Sequence, residues 1–220
     1  MGVATYKVFE EEVVDVERHF LYHSKPDKIR TGHLPHWEKD SKLIFITYHL
    51  ADSIPQDVRI ELEEEDKEWR RTHPEPWDEK TKWLYTKEIR KRLQEALDKG
   101  YGDCVLLDDS IRDIVERAFL FFNGDRYKLH SYVIMPNHVH VLAELKEAGT
   151  LAKVVHSWKS WTADEVNKAL GRQGIVWCRE YYDRLIRDLR HYGNVLGYIK
   201  KNYQSALWID EHGGFEGLKK

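Results

Sequence analysis

The chain has 220 residues, 41% of them hydrophobic, including 12 Tyr, 8 Trp and 7 Phe; this is enough apolar material for one full-sized core and excludes wholesale disorder. Net charge is −3 but unevenly spread: residues 130–206 hold 11 Lys/Arg and 7 Asp/Glu, a balance of +4 that leaves −7 for the rest. The sum therefore neither predicts nor excludes a nucleic-acid partner. Apolar runs are far shorter than a membrane span, residues 1–25 lack the apolar core of a signal peptide, and Cys104 and Cys178 fit free thiols; the expectation is a cytoplasmic protein without a membrane partner.

Residues 1–40 show no clean period. A short helix over 9–19 followed by polar residues with Pro26, Gly32 and Pro35 reads as a surface arm, with a docked N-terminal helix as the other reading. Residues 42–50, KLIFITYHL, are rich in β-branched and aromatic residues and predict the first strand. Residues 56–80 follow, nearly all carboxylate over 61–66, with Pro74 and Pro76 to break a helix. They predict a solvated helix and loop inserted after that strand, or else an acidic decoy or partner-binding segment. Residues 83–97 read as a helix, with Ile89, Leu93 and Leu97 one turn apart and Gly100 just past its end. Residues 104–107 form a short strand or turn. Asp109 or Ser110 then offers a cap for a helix over 111–122, striped by Ile111, Ile114, Val115, Ala118, Phe119 and Phe122.

Residues 129–145, LHSYVIMPNHVHVLAEL, hold two β-type runs, 129–135 and 138–145, around Pro136-Asn137. Pro presets φ and Asn tolerates turn geometry, so a tight hairpin is predicted. Side chains alternate across a sheet, so His138, His140 and Leu142 share one face and Val139, Val141 and Ala143 the other. Residues 151–170 read as a helix carrying Lys153, His156, Trp158, Lys159 and Trp161. Residues 175–188 are mixed, with Arg179, Arg184 and Arg187 among aromatics, and 189–207 form the last helix. This order predicts an α+β fold, an antiparallel sheet covered by helices on one side. The divisions are an arm over 1–40, a domain over 41–208 with a charged insertion over 56–82, and a tail over 209–220.

Two imidazoles on one strand face are close enough to grip one cation. On the last helix Tyr192, Val195, Leu196, Ile199, Tyr203, Ala206 and Leu207 form the core stripe, while Tyr198 and Asn202 lie off it, four residues apart on another flank. Beside His138 and His140 they complete a site. The imidazoles and the Asn202 carbonyl would hold a hard or borderline divalent ion, and the Tyr198 hydroxyl would attack phosphorus. Taken singly, each residue also has an ordinary structural explanation.

MPNHVH, followed about sixty residues later by Tyr-Ile-x-x-Asn, resembles the HUH single-tyrosine transposases, specifically the REP-associated tyrosine transposases (RAYT-like). Supporting blocks are Leu34-Pro35-His36-Trp37, Phe45-Ile46-Thr47, Trp158-Lys159-Ser160, and Trp177 followed by residues 180–187, EYYDRLIR; the likeness covers about 33–206. It implies a ferredoxin-like antiparallel sheet covered by helices, with His138, His140 and Asn202 as ligands of Mg²⁺ or Mn²⁺ and Tyr198 as nucleophile. It also implies single-stranded or hairpin DNA as substrate, cut through a 5′-phosphotyrosine, and a monomer in preference to a homodimer. Two features depart from the pattern: Tyr203 stands where many relatives have Pro, and the acidic insertion has no role that follows from its residues.

Candidate DNA contacts are Lys153, His156, Trp158, Lys159, Trp161, Arg179, Arg184 and Arg187, since cations neutralise phosphates and exposed aromatics stack on bases. For Trp158 and Trp161 a core position is the competing expectation. Two other functions stay open: a non-catalytic hairpin-DNA-binding protein retaining the fold, and a metal-dependent hydrolase of another class built on His138 and His140.

Overall fold

The computed structural model describes residues 4–8, 28–31, 35–38, 43–147 and 150–211. Its main sheet has five antiparallel strands in the order β1-β5-β6-β4-β7, comprising β1 Thr5–Val8, β4 Leu43–His49, β5 Tyr127–Ile134, β6 His138–Leu145 and β7 Tyr182–Leu185. Two further strands, β2 Lys28–Thr31 and β3 Pro35–Glu38, pair with each other. Without β1, the order hairpin strand, hairpin strand, β4, β7 with helical crossovers is the split βαβ arrangement of ferredoxin-like folds. The resemblance implied that arrangement.

Chain order alone misses the start of the sheet. The strand at 43–49 is preceded by Thr5–Val8, which pairs with β5 along the sheet edge in the register Thr5↔Ile134 to Val8↔Ser131. The helix expected over 9–19 lies outside the described residues.

The helices cover both faces rather than one. On one side, α3 Asp109–Phe121 and α4 Leu151–Ala169 pack on Ile44, Ile46, Tyr48, Val139, Val141 and Ala143. Helix α3 buries the predicted stripe of Ile111, Ile114, Val115, Ala118 and Phe119, its large members worth about 1.5–3 kcal/mol each. Its cap is Asp108, one residue earlier than expected, whose carboxylate accepts from Ser110 N–H at 2.8 Å. On the opposite face α5, Leu189–Glu211, buries Tyr192, Val195 and Ile199 against Leu43, Val133, Met135 and Leu142. The helix runs on to Glu211, past the predicted end at 207; the side chains of Ala206 and Leu207 lie outside the described residues.

The insertion after β4 is a helical hairpin, α1 Gln56–Thr72 and α2 Glu79–Asp98. Helix α1 buries no residue fully, as a solvated helix should. Val58 and Leu62 nevertheless rest on Ile54, Leu93 and Leu97, and Tyr182 of β7 joins the same cluster. Arg92 pairs with Glu65 and Tyr85 donates to Asp66, so much of the charge is spent within the hairpin. The C-terminal end of α2 is pinned to the end of β4. Gly102, at φ +87°, comes so close to Asp52 that a Cβ would meet its carboxylate at 2.7 Å, and Asp103 N–H donates to that carboxylate at 2.7 Å. Among the described residues no helix is long and apolar enough to cross a membrane.

Candidate active site

Both imidazoles start from the turn at Pro136-Asn137. Met135 N–H donates to His138 O and Leu50 N–H to Asn137 O, each at 2.8 Å, so β6 enters the sheet at a fixed register. That register sets His138 opposite His49, His140 opposite Thr47, and Leu142 opposite Phe45, all on the face that α5 covers. The period-two expectation holds. The two rings are 1% exposed and 4.8 Å apart between centroids.

The Nδ1 of each ring is engaged by a neighbouring side chain, and the two Nε2 atoms differ. His138 Nδ1 lies 2.8 Å from Asn137 Oδ1, and its Nε2 is buried without a partner. His140 Nδ1 lies 2.7 Å from Thr47 Oγ1, and its Nε2 is 3.4 Å from the Tyr198 hydroxyl. Phe45 stacks on the His140 ring at 5.4 Å and meets Tyr198 edge-on at 5.9 Å, wedging the two together. On α5, Asn202 is 9% exposed and donates from Nδ2 to the Tyr198 carbonyl at 2.9 Å. Of the sequence-predicted pair on α5, Tyr198 therefore meets His140 of β6, and Asn202 lies one helical turn further along, bonded to the Tyr198 backbone. Thr47, Phe45, His49 and Asn137 are site residues that carried no role in the sequence reading. The alternation in residues 45–49, FITYH, was the available signal for three of them.

Burial dominates the electrostatics. It lowers His140 to about 3 and His138 well below the usual imidazole value, the neighbouring His140 and His49 adding to the effect on His138. His49 is lowered to about 4, mainly by burial, against a hydrogen bond to the Leu50 carbonyl. All three are neutral at physiological pH. Burial raises the Tyr198 phenol well above its usual value; a hydrogen bond with Asn202 opposes this, and the Asp98 carboxylate at the end of α2 adds to it.

This donor set fits a divalent cation. Neutral imidazoles are what a metal requires, and the bare, buried Nε2 of His138 is a polar atom that no group among the described residues satisfies. Among the described residues no group of three or more His, Cys, Asp or Glu side chains is arranged to hold a metal. A third protein donor would therefore be of another type. With its nitrogen spent on Tyr198, Asn202 has only its Oδ1 to offer.

The candidate DNA contacts divide by layer. Trp158 corrects the expectation of a base-stacking residue: it is 2% exposed, packs against Phe119 and Tyr127, and donates from Nε1 to Tyr127 Oη at 2.8 Å. The Lys159 ammonium is turned inward, donating to the carbonyls of Cys178 at 2.6 Å and Arg179 at 2.8 Å. Lys153 and His156 are exposed on α4, in the helical layer behind the sheet, away from Tyr198. Trp161 is 42% exposed on the same helix. Arg179 and Arg187 are exposed. Arg184 stands opposite Phe45 on β7, which places it on the imidazole face, one strand out from the site.

A ferredoxin-like sheet with paired imidazoles on an inner strand, approached by a tyrosine on the closing helix, is the arrangement that the resemblance to the HUH single-tyrosine transposases implies. Residues 105–202 match the family described as "Transposase IS200 like", a span that contains both imidazoles, Tyr198 and Asn202. An uncharacterised protein of Haemophilus influenzae is 25% identical over 130 residues, covering 47% of this chain and 71% of that protein. Among solved structures, a REP-associated tyrosine transposase bound to a REP hairpin aligns over 84% of this chain and 76% of its own, with 12% identity and a TM-score of 0.43. A candidate transposase of Deinococcus radiodurans R1 aligns over 80% and 98%, with 14% identity and a TM-score of 0.36.

Proposed function

We propose that the chain is a metal-dependent endonuclease and strand transferase of single-stranded DNA, of the REP-associated kind, acting beside DNA hairpins. The observation that carries this reading is the Tyr198 hydroxyl lying 3.4 Å from His140 Nε2, because it brings the only off-stripe tyrosine of α5 to the imidazole pair. Tyr198 Oη attacks the scissile phosphorus, the Oη–P bond forms as the P–O3′ bond breaks, the phenol gives its proton to solvent while the departing O3′ takes one from it, and the products are a 5′-phosphotyrosine and a free 3′-OH. Return of a 3′-OH to the phosphotyrosine reverses the step and joins ends.

His138, His140 and the Asn202 oxygen are the residues that would hold Mg²⁺ or Mn²⁺, which when bound supplies positive charge against the scissile phosphate, the leaving oxygen and the attacking phenolate. Held near a pKa of 3, His140 is too weak a base to take the phenol proton, so its part is that of a ligand. Phe45 and Thr47 keep its ring facing Tyr198. Arg184, whose pKa is lowered mainly by burial with the Arg187 charge adding to it, is suited to a backbone phosphate at this face.

The test is incubation of the chain with a labelled single-stranded hairpin oligonucleotide and Mn²⁺, followed by a denaturing gel. A covalent protein–DNA band that disappears in Tyr198→Phe supports the reading. Tight binding with no covalent band makes the protein a non-catalytic hairpin binder, and metal-dependent cleavage that survives in Tyr198→Phe makes it a hydrolase of another class.

A further inference from the structure

Asn137 reads in the sequence as a turn residue, but its amide is 1% exposed and has every polar atom committed. One end faces the carbonyl oxygens of Leu97 at 3.1 Å and Tyr101 at 3.4 Å, in the last turn of α2 and the loop beyond it. Carbonyl oxygens only accept, so the amide atom facing them is Nδ2. The other end is then Oδ1, which also only accepts, and it lies 2.8 Å from His138 Nδ1. That nitrogen must carry the proton. A neutral imidazole has one N–H, so His138 Nε2 holds a bare lone pair, and it is the ring atom left without a partner.

We infer that Asn137 is a positioning residue that sets His138 in the Nδ1–H tautomer, leaving Nε2 as the donor for a divalent cation, and that it takes its own orientation from the end of helix α2. The inference deepens the proposed function and rests on its metal site. Metal-bound histidines depend on such outer partners for tautomer and ring orientation. Here the partner ties the ligand to the helical insertion. The backbone of the turn is already fixed by Leu50 N–H on Asn137 O and by Leu106 N–H on Pro136 O at 3.2 Å. Only the side-chain amide remains to be oriented, and the two carbonyls of the insertion orient it. Leu97 is itself seated among Ile54 and Leu93, and Gly102 and Asp103 are fastened to Asp52. A charged hairpin with no evident purpose thereby becomes a support for a catalytic ligand.

The test uses the metal-free full chain with ¹⁵N-labelled histidine, reading the His138 tautomer from long-range ¹H–¹⁵N spectra at pH 8, with Mn²⁺ affinity measured by calorimetry. Wild type should give Nδ1–H at His138. Asn137→Ala removes the acceptor, so the ring should move toward Nε2–H, with Mn²⁺ binding weakened about 10- to 100-fold. Asn137→Asp keeps the acceptor and loses the donors: the Nδ1–H tautomer and Mn²⁺ binding should persist while the last-turn amides of α2 exchange faster. A wild-type tautomer and affinity in Asn137→Ala, or loss of the Nδ1–H tautomer in Asn137→Asp, overturns the inference. If Asn137→Ala does not fold, the aspartate variant decides alone. No DNA cleavage enters these readouts, so a failed covalent-adduct experiment leaves them standing, whereas a wild type that binds no Mn²⁺ overturns the metal reading and this inference's ligand role together.

Discussion

Acid should unfold this protein through the imidazoles of its candidate site. His49 falls to about 4 and His140 to about 3 from an ordinary 6.5. A folded-state pKa below the unfolded one means that stability is complete above pH 6.5 and drains away as pH falls through 6.5 toward 4 and then 3. At pH 5 the unfolded chain holds protons at these positions that the folded chain refuses, at a cost of about 2 kcal/mol each. His138 shifts in the same direction, and its contact with His140 keeps the three costs from adding simply. Even about 4 kcal/mol is a large share of a typical stability of about 5–15 kcal/mol. Urea unfolding followed by tryptophan fluorescence at pH 8, 6.5 and 5 measures the loss, and His49→Gln should recover about 2 kcal/mol of the difference between pH 8 and pH 5. A stability at pH 5 within about 1 kcal/mol of that at pH 8, or an unchanged pH slope in His49→Gln, would refute a dry, neutral cluster.

Trp158→Ala should cost about 3–5 kcal/mol by leaving a cavity against Phe119 and Tyr127, with DNA affinity per folded molecule unchanged; urea denaturation and fluorescence anisotropy separate the two. Arg184→Ala should weaken hairpin-DNA binding and lower the slope of log affinity against log salt by about 1, whereas Lys153→Ala, on the far layer, should leave that slope alone. Asn202→Ala should reduce Mn²⁺ affinity by at least about tenfold in calorimetry, while the thermal midpoint falls only by the loss of its hydrogen bonds to Tyr198.

Residues whose period survives in one dimension were legible. The alternation of His138 and His140 with Val139 and Val141 fixed which face each would take, and the spacing of Tyr192, Val195 and Ile199 set Tyr198 and Asn202 apart from the core stripe. The same arithmetic applied to Leu151, Val154, Val155, Thr162 and Val166 would have put Trp158 in the core, since it falls on their stripe. Thr5–Val8 was not legible because a four-residue edge strand has too few alternations to stand above its surroundings, and its place depends on β5 rather than on its own residues. Nor could the roles of Asn137 and of α2 be read along the chain: the contact joins Leu97 to Asn137 across 40 positions, through a backbone carbonyl that any residue would present.

The central claim is that the phenol of Tyr198 becomes covalently bonded to DNA. The most direct measurement is mass spectrometry of peptides from a wild-type reaction with a hairpin oligonucleotide and Mn²⁺, after nuclease trimming of the attached DNA. The account predicts a nucleotide phosphate on the peptide that contains residue 198, with fragment ions placing it on that tyrosine. Modification of Tyr192 or Tyr203 in its place, or unmodified peptide from a reaction in which the oligonucleotide has been cut, would contradict it.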